Sequence, residues 1–326
     1  MLPWNVPHWR NLWQARAAGR LGHAVLLAGA RGVGKEQFAL ALAGGLLCQA
    51  PTDAGGCGIC RACAMFAAGS HPDFMRLGCE EDSDTIKVDR IRAVVEFMNL
   101  SRHEGVYKVV MIAPAEAMNR AAANGLLKTL EEPPAGAIFL LVAHEPGRLP
   151  ATVRSRCQRI AMRAPEAMAR AWLEDQLGAQ APVDDLLALG NGAPLAALAL
   201  SGTDAVARRR SLAADLRGLR DGRSTPLEIL ERWSALGARS VFPVLAGIVH
   251  DAVVARVSET PAGVLGDDLR SLSKALSFNE LFDIHEKLVE HLETLRGASG
   301  LREQSLIEDL VFFLTGISGM RGRVRT

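Results

Sequence analysis

Apolar residues fall into two regimes along this chain. Up to about residue 164, short uninterrupted apolar runs alternate with segments of helical period; beyond Pro165 only the helical period remains. Residues 23–28 (HAVLLA), 107–113 (YKVVMIA) and 138–143 (IFLLVA) are too short for helices and too continuously apolar for a sheet with one wet face. They read as strands buried on both sides. Lys35–Leu47 and residues 115–131 read as helices, the second ended by Pro133 and Pro134, and Val88, Ile91, Val95 and Met98 share one face of another. Strand and helix in alternation predict right-handed crossovers and an α/β fold whose parallel sheet carries helices on both faces. After Pro165 the pattern predicts helices alone, with a Gly/Pro break at 190–194 and a linker at 201–204. The expected division is therefore an α/β domain at 1–164, a small helical domain at 165–203 and a larger all-α domain at 204–326.

Composition narrows the class. At 326 residues the chain is long enough for two or three domains, and 49% hydrophobic against 22% charged residues excludes a disordered polymer. A net charge of +1 gives no global reason to bind nucleic acid or an anionic membrane, so any DNA contact is expected to be local or to belong to a partner. The N-terminus lacks the pattern of a signal peptide. The most apolar stretches noted, 25–30 and 38–47, fall short of the roughly 18 residues of a membrane span. These readings predict a cytoplasmic protein with no membrane partner.

Between the first strand and the first helix lies Gly29-Ala-Arg-Gly32-Val-Gly34-Lys35, a GxxxxGK phosphate loop in its proper context. Glycines let backbone N–H groups face phosphate oxygens, the helix N-terminus adds positive potential, and Lys35 would reach the outer phosphates. Two groups that nucleotide hydrolysis needs are missing. The next residue should carry a hydroxyl for magnesium and is Glu36; the acidic pair expected after strand 107–113 is replaced by Ala113-Pro114. ATP use by this chain is therefore not expected. Glu116, three residues on, reads as a solvated charge at a helix N-terminus.

Cys48, Cys57, Cys60 and Cys63 are separated by eight, two and two residues. In a reducing compartment four thiolates at this spacing point to a closed tetrahedral zinc site, a redox dithiol being the alternative, with a structural role because no position is left for water. Cys79 and Cys157 read as small apolar spectators.

The run 123–134 (ANGLLKTLEEPP) followed by 149–157 (LPATVRSRC), with the phosphate loop, the cysteine insertion and the segment Ser70-His71-Pro72-Asp73, resembles the clamp-loader branch of the AAA-plus superfamily over residues 20–165. The resemblance implies a P-loop domain with a zinc insertion, a helical lid and an all-α oligomerisation collar. Against that family's ATPase subunits, of gamma and tau type, this chain departs at Glu36, at Ala113 and Pro114, at Ala143-His144 in place of a sensor hydroxyl, and at Leu195 where a sensor arginine stands. The departures resemble the family's non-hydrolysing stator. The resemblance further implies that Arg156, within Ser155-Arg156-Cys157, is an arginine finger acting on a neighbouring subunit's ATP. As a lone arginine it would read as a surface salt bridge. Implied partners are the gamma or tau ATPase subunits and the delta subunit, with the sliding clamp and primed DNA reached through the complex. The alternative reading is a gamma/tau-type ATPase with unusual metal chemistry.

Overall fold

The computed structural model describes residues 1–80, 83–103, 105–258, 266–295 and 300–317, and the chain divides into two compact units, Met1–Ala169 and Arg170–Thr326. In the first, helix α1 (Val6–Ala17) precedes β1 (Ala24–Ala28), α2 (Lys35–Leu47), α3 (Arg61–Ala67), β2 (Phe74–Leu77), α4 (Val88–Asn99) and β3 (Lys108–Ile112). Then come α5 (Arg120–Glu131), β4 (Ala137–Ala143), the short α6 (Ala151–Arg154) and β5 (Gln158–Ala161). The five strands form one sheet in the order β2-β3-β4-β1-β5, every pairing parallel. Every residue of β1, β3 and β4 is buried, which accounts for their unbroken apolar runs.

Alternate side chains serve the two faces. Leu26, Val110, Ile112, Phe139 and Leu141 pack with Ile91, Val94 and Met98 of α4 and Leu126 and Leu130 of α5, while α2 crosses the other face. The chain leaves β1 toward β2 at one edge but leaves β4 toward β5 on the far side of β1. The β1/β4 junction is thus the place where connections diverge, and the crevice at its strand ends is where an open α/β sheet binds ligands. The phosphate loop follows β1 there, and Gly29 N–H donates to Ala143 O at the end of β4 (3.2 Å).

Four elements depart from the sequence pattern. The edge strands β2 and β5 are only four residues long and carry Arg76, Gln158 and Arg159 toward solvent, so they show no apolar run. Helix α1 is anchored by tryptophans rather than by period: Trp9 and Trp13 stack at 4.9 Å, and Trp9 meets Phe38 of α2 edge-on. The helix expected over 115–131 begins only at Arg120. Ala115–Ala117 form a 3-10 turn, Met118 is extended, and the Asn119 side chain caps α5 by accepting from Ala122 N–H at 2.8 Å.

The segment His71-Pro72-Asp73 leads into β2. The buried Asp73 carboxylate accepts from His103 N–H (3.0 Å) and lies 3.7 Å from the equally buried Lys108 ammonium, which also donates to Leu100 O and Ser101 O. A polar clasp thereby fixes the entry to β3.

From residue 166 the described residues form helices only: α7 (Glu166–Leu177), α8 (Val183–Leu189), α9 (Pro194–Leu200), α10 (Ala205–Arg220), α11 (Pro226–Leu236), α12 (Ala238–Ser258), α13 (Gly266–Ala275), α14 (Phe278–Leu295) and α15 (Gly300–Gly316). The core of the second unit is built around α12, whose Phe242, Leu245, Ile248 and Val249 pack with Trp233, Ile284, Leu288, Leu310 and Leu314. One expectation is corrected here. Ala238–Val257 is long and apolar enough to cross a membrane by length and composition, exceeding the stretches weighed from sequence. Its buried residues, Val241, Phe242, Leu245, Ile248, Val249 and Ala252 among them, recur every three or four positions and form one face turned to the helical core.

Candidate functional site

In the phosphate loop, Gly34 has φ 83°, a left-handed conformation, and a side chain there would meet Leu2 at 2.3 Å. The N-terminal turn covers this side of the loop: Trp4 Nε1 donates to Val33 O at 2.9 Å and Asn5 Nδ2 to the same oxygen at 3.2 Å. Lys35 turns inward. Its ammonium, in a residue only 2% exposed, donates to Gly29 O at 2.8 Å and Ala30 O at 2.6 Å. The cation that would meet a phosphate is engaged by the carbonyls of its own loop. Glu36 pairs with Arg76 of β2 at 2.8 Å, so the carboxylate replacing the magnesium-binding hydroxyl points toward an edge strand.

Glu116 is not the solvated charge expected from sequence. Its Oε1 accepts from His144 N–H (2.8 Å) and Glu145 N–H (3.1 Å), while Oε2 is buried with no hydrogen-bond partner among the described residues. The carboxylate closes the turn after β4. The reason sequence misled is the shortened α5: with no helix at 115, Glu116 is free to reach across to the β4 exit. Burial lowers the His144 pKa, which keeps its imidazole neutral at pH 7.

Burial also pulls Lys35 down to about 8 from an ordinary 10.5, against the opposing pull of Glu116 and Glu36. The unfolded chain then binds the extra proton between those two values, so Lys35 costs stability below about pH 8 and the cost fades as pH rises toward 10.5. Denaturant unfolding of the unmutated and Lys35→Met proteins should show their difference moving in favour of the unmutated protein across that range. Parallel curves would mean that the folded chain compensates the ammonium fully.

The four cysteines converge. Cys48 ends α2, Cys60 caps α3, and Cys57 and Cys63 complete a group whose sulfurs all lie within 4.8 Å of one another. A tetrahedron with metal–sulfur bonds of about 2.3 Å has edges of about 3.8 Å, and Cys48 Sγ and Cys60 Sγ are 3.8 Å apart. Backbone N–H groups of Cys57 and Cys63 point at Cys48 Sγ (3.2 Å) and Cys60 Sγ (3.4 Å), the orientation that supports thiolate ligands. None of the four forms a disulfide. The cluster can hold a metal ion. The thirteen-residue α2, about 20 Å long, separates it from the phosphate loop, which assigns it to local structure rather than nucleotide chemistry.

Arg156 follows α6 and is a third exposed. Its Nε donates to Glu131 Oε1 at 2.7 Å, Nη2 bonds the same oxygen, and Nη1 donates to Thr152 O at 2.8 Å. Ser155 Oγ donates to Thr152 O at 3.1 Å. Cys157 packs against the sheet core, and burial pushes its thiol up to about 11, which leaves it an uncharged filler. Glu131 stood in the sequence motif without a role; no local spacing links it to a residue 25 positions away.

A family profile described as DNA polymerase III, delta subunit, matches residues 5–166. The chain is 39% identical over 239 residues to the DNA polymerase III subunit delta' of Pseudomonas aeruginosa, covering 72% of this chain and 71% of that one. It is 32% identical over 327 residues to the same subunit of Yersinia pestis, covering 97% and 96%. The subunit tau of Salmonella typhimurium is 37% identical over 146 residues, 45% of this chain and 22% of that one. Among solved structures, a gamma subunit-related protein of Thermotoga maritima aligns over 92% of this chain and 97% of its own with a TM-score of 0.45 and 16% identity.

Proposed function

The chain belongs to the delta prime family of DNA polymerase III subunits, those of the bacterial clamp loader, and from that premise we propose that it is the loader's non-hydrolysing stator, supplying Arg156 in trans to a neighbouring subunit's ATP. The observation that carries the reading is the phosphate loop. Glu36 replaces the metal-binding hydroxyl, and Ala113 and Pro114 offer no carboxylate to hold a metal or orient water. A chain with this site lacks the groups that hydrolysis in cis requires. Its contribution would be charge stabilisation on a neighbour's transferred phosphoryl group, for which the planar guanidinium of Arg156 suits two oxygens at once.

In the same reading the four-cysteine cluster takes zinc, the ion whose closed tetrahedral sites favour four thiolates and which has no redox chemistry to serve here. Residues 165–203 act as a lid-like domain and 204–326 as the collar through which the chain assembles with gamma or tau and delta subunits. The sliding clamp and primed DNA are met through the assembled loader, in the cytoplasm.

The isolated protein should hydrolyse ATP no faster than buffer. Glu36→Thr restores a hydroxyl but no carboxylate after β3, so it should remain inactive in the same phosphate-release assay. Magnesium-dependent turnover by either protein would favour an ATPase subunit instead.

A further inference from the structure

The guanidinium of Arg156 is already engaged within its own chain, and we propose that Glu131 is a positioning residue for it, a latch that competes with a neighbouring nucleotide for the same group. The proposal rests on the reading of Arg156 as a finger acting in trans. Nε and Nη2, which form one edge of the guanidinium, both bond Oε1 of Glu131, and Nη1 is turned to Thr152 O. That edge is the fork with which arginine grips paired oxygens, of a carboxylate or of a phosphate. It cannot serve both at once. An arginine bound in this way has to leave Glu131 before it presents the fork to a neighbour.

Glu131 is suited to holding and releasing. It is the last residue of α5, immediately ahead of the Glu132-Pro133-Pro134 turn, so its backbone is fixed by a helix end. Arg156 is its only ion-pair partner among the described residues. The side chains of Arg156 and Glu131 are 33% and 48% exposed, which makes the pair a weak one. Half-exposed pairs of this kind are worth up to about 1 kcal/mol, or roughly fivefold in an equilibrium. The latch thus reduces the fraction of released finger by a few-fold, and the apparent strength of the contact in trans falls by the same fraction.

The test uses the loader reconstituted with its ATPase and delta subunits, sliding clamp and primed DNA. Glu131→Gln should raise kcat/KM for ATP roughly two- to fivefold at the site that Arg156 faces, the fold-range set by an exposed ion pair, and the loader's total rate by that site's share. Glu131→Ala should behave alike. In an Arg156→Ala background Glu131→Gln should have no effect, because the carboxylate acts only through the guanidinium. The advantage of Glu131→Gln should also shrink as ionic strength rises and screens the pair in the parent. A merely structural role for Glu131 would move melting temperature instead and would not depend on Arg156. If Arg156→Ala impairs hydrolysis but Glu131→Gln runs at or below the unmutated rate, or still raises the rate without Arg156, the latch is wrong while the finger stands. If Arg156→Ala runs at the unmutated rate, finger and latch fall together.

Discussion

Stripping the metal from the cysteine cluster, or replacing Cys60 by Ser, should lower the melting temperature of the protein by roughly 6–20 °C. The estimate follows from the coupling of metal binding to folding. Residues 48–63 hold no regular element of their own before α3, and three glycines at 55, 56 and 58 raise the conformational entropy of the unfolded segment. The ordering of that segment rests on the Cys48, Cys57, Cys60 and Cys63 ligand set. Losing a structural metal from such a module is worth on the order of 3–5 kcal/mol, at about 2–4 °C per kcal/mol for a unit of this size. The consequence reaches the N-terminus, because Trp9 Nε1 donates to Asp53 O at 2.9 Å and Gly56 backs directly onto Cys63 Sγ. Elemental analysis of folded, chelator-washed protein should return one zinc per chain. Metal-free protein with an unchanged melting curve would remove the site from the account. The distance along α2 predicts that a loader assembled with the Cys60→Ser subunit at permissive temperature keeps its ATP turnover.

What the sequence disclosed follows from where each signal resides. The strands β1, β3 and β4 are buried on both faces, so each is a self-contained apolar run, and the phosphate loop and cysteine spacing are likewise local patterns. The edge strands escaped notice because each touches only one neighbour and turns polar side chains outward. Glu116 was misread because its role depends on a backbone it meets 28 residues later, at His144. Lys35 illustrates the same limit. The loop motif identified the residue, but only the fold shows its ammonium spent on Gly29 and Ala30 carbonyls. The apolar run of α12 was passed over in the sequence, and by length and composition alone it fits two environments, a bilayer and a helical core.

The central claim is that this chain's own nucleotide site is idle while its arginine serves another, and Arg156→Ala separates the two. In the isolated protein the substitution breaks one half-exposed pair, and stability should change by no more than about 1 kcal/mol. In the reconstituted loader, assembly should proceed through the helical second unit. The active site that Arg156 faces should lose roughly 10³-fold or more in hydrolysis, the usual worth of an arginine finger, so that the clamp- and DNA-stimulated rate falls to what the remaining sites supply. Arg156→Lys should recover little, since a point charge does not reproduce the two-pronged contact. The decisive measurement is the steady-state ATPase rate of the loader with clamp and primed DNA, taken with the unmutated and the Arg156→Ala subunit at matched assembly. The account predicts a pronounced fall with the complex intact; an unchanged rate and unchanged clamp loading would contradict it.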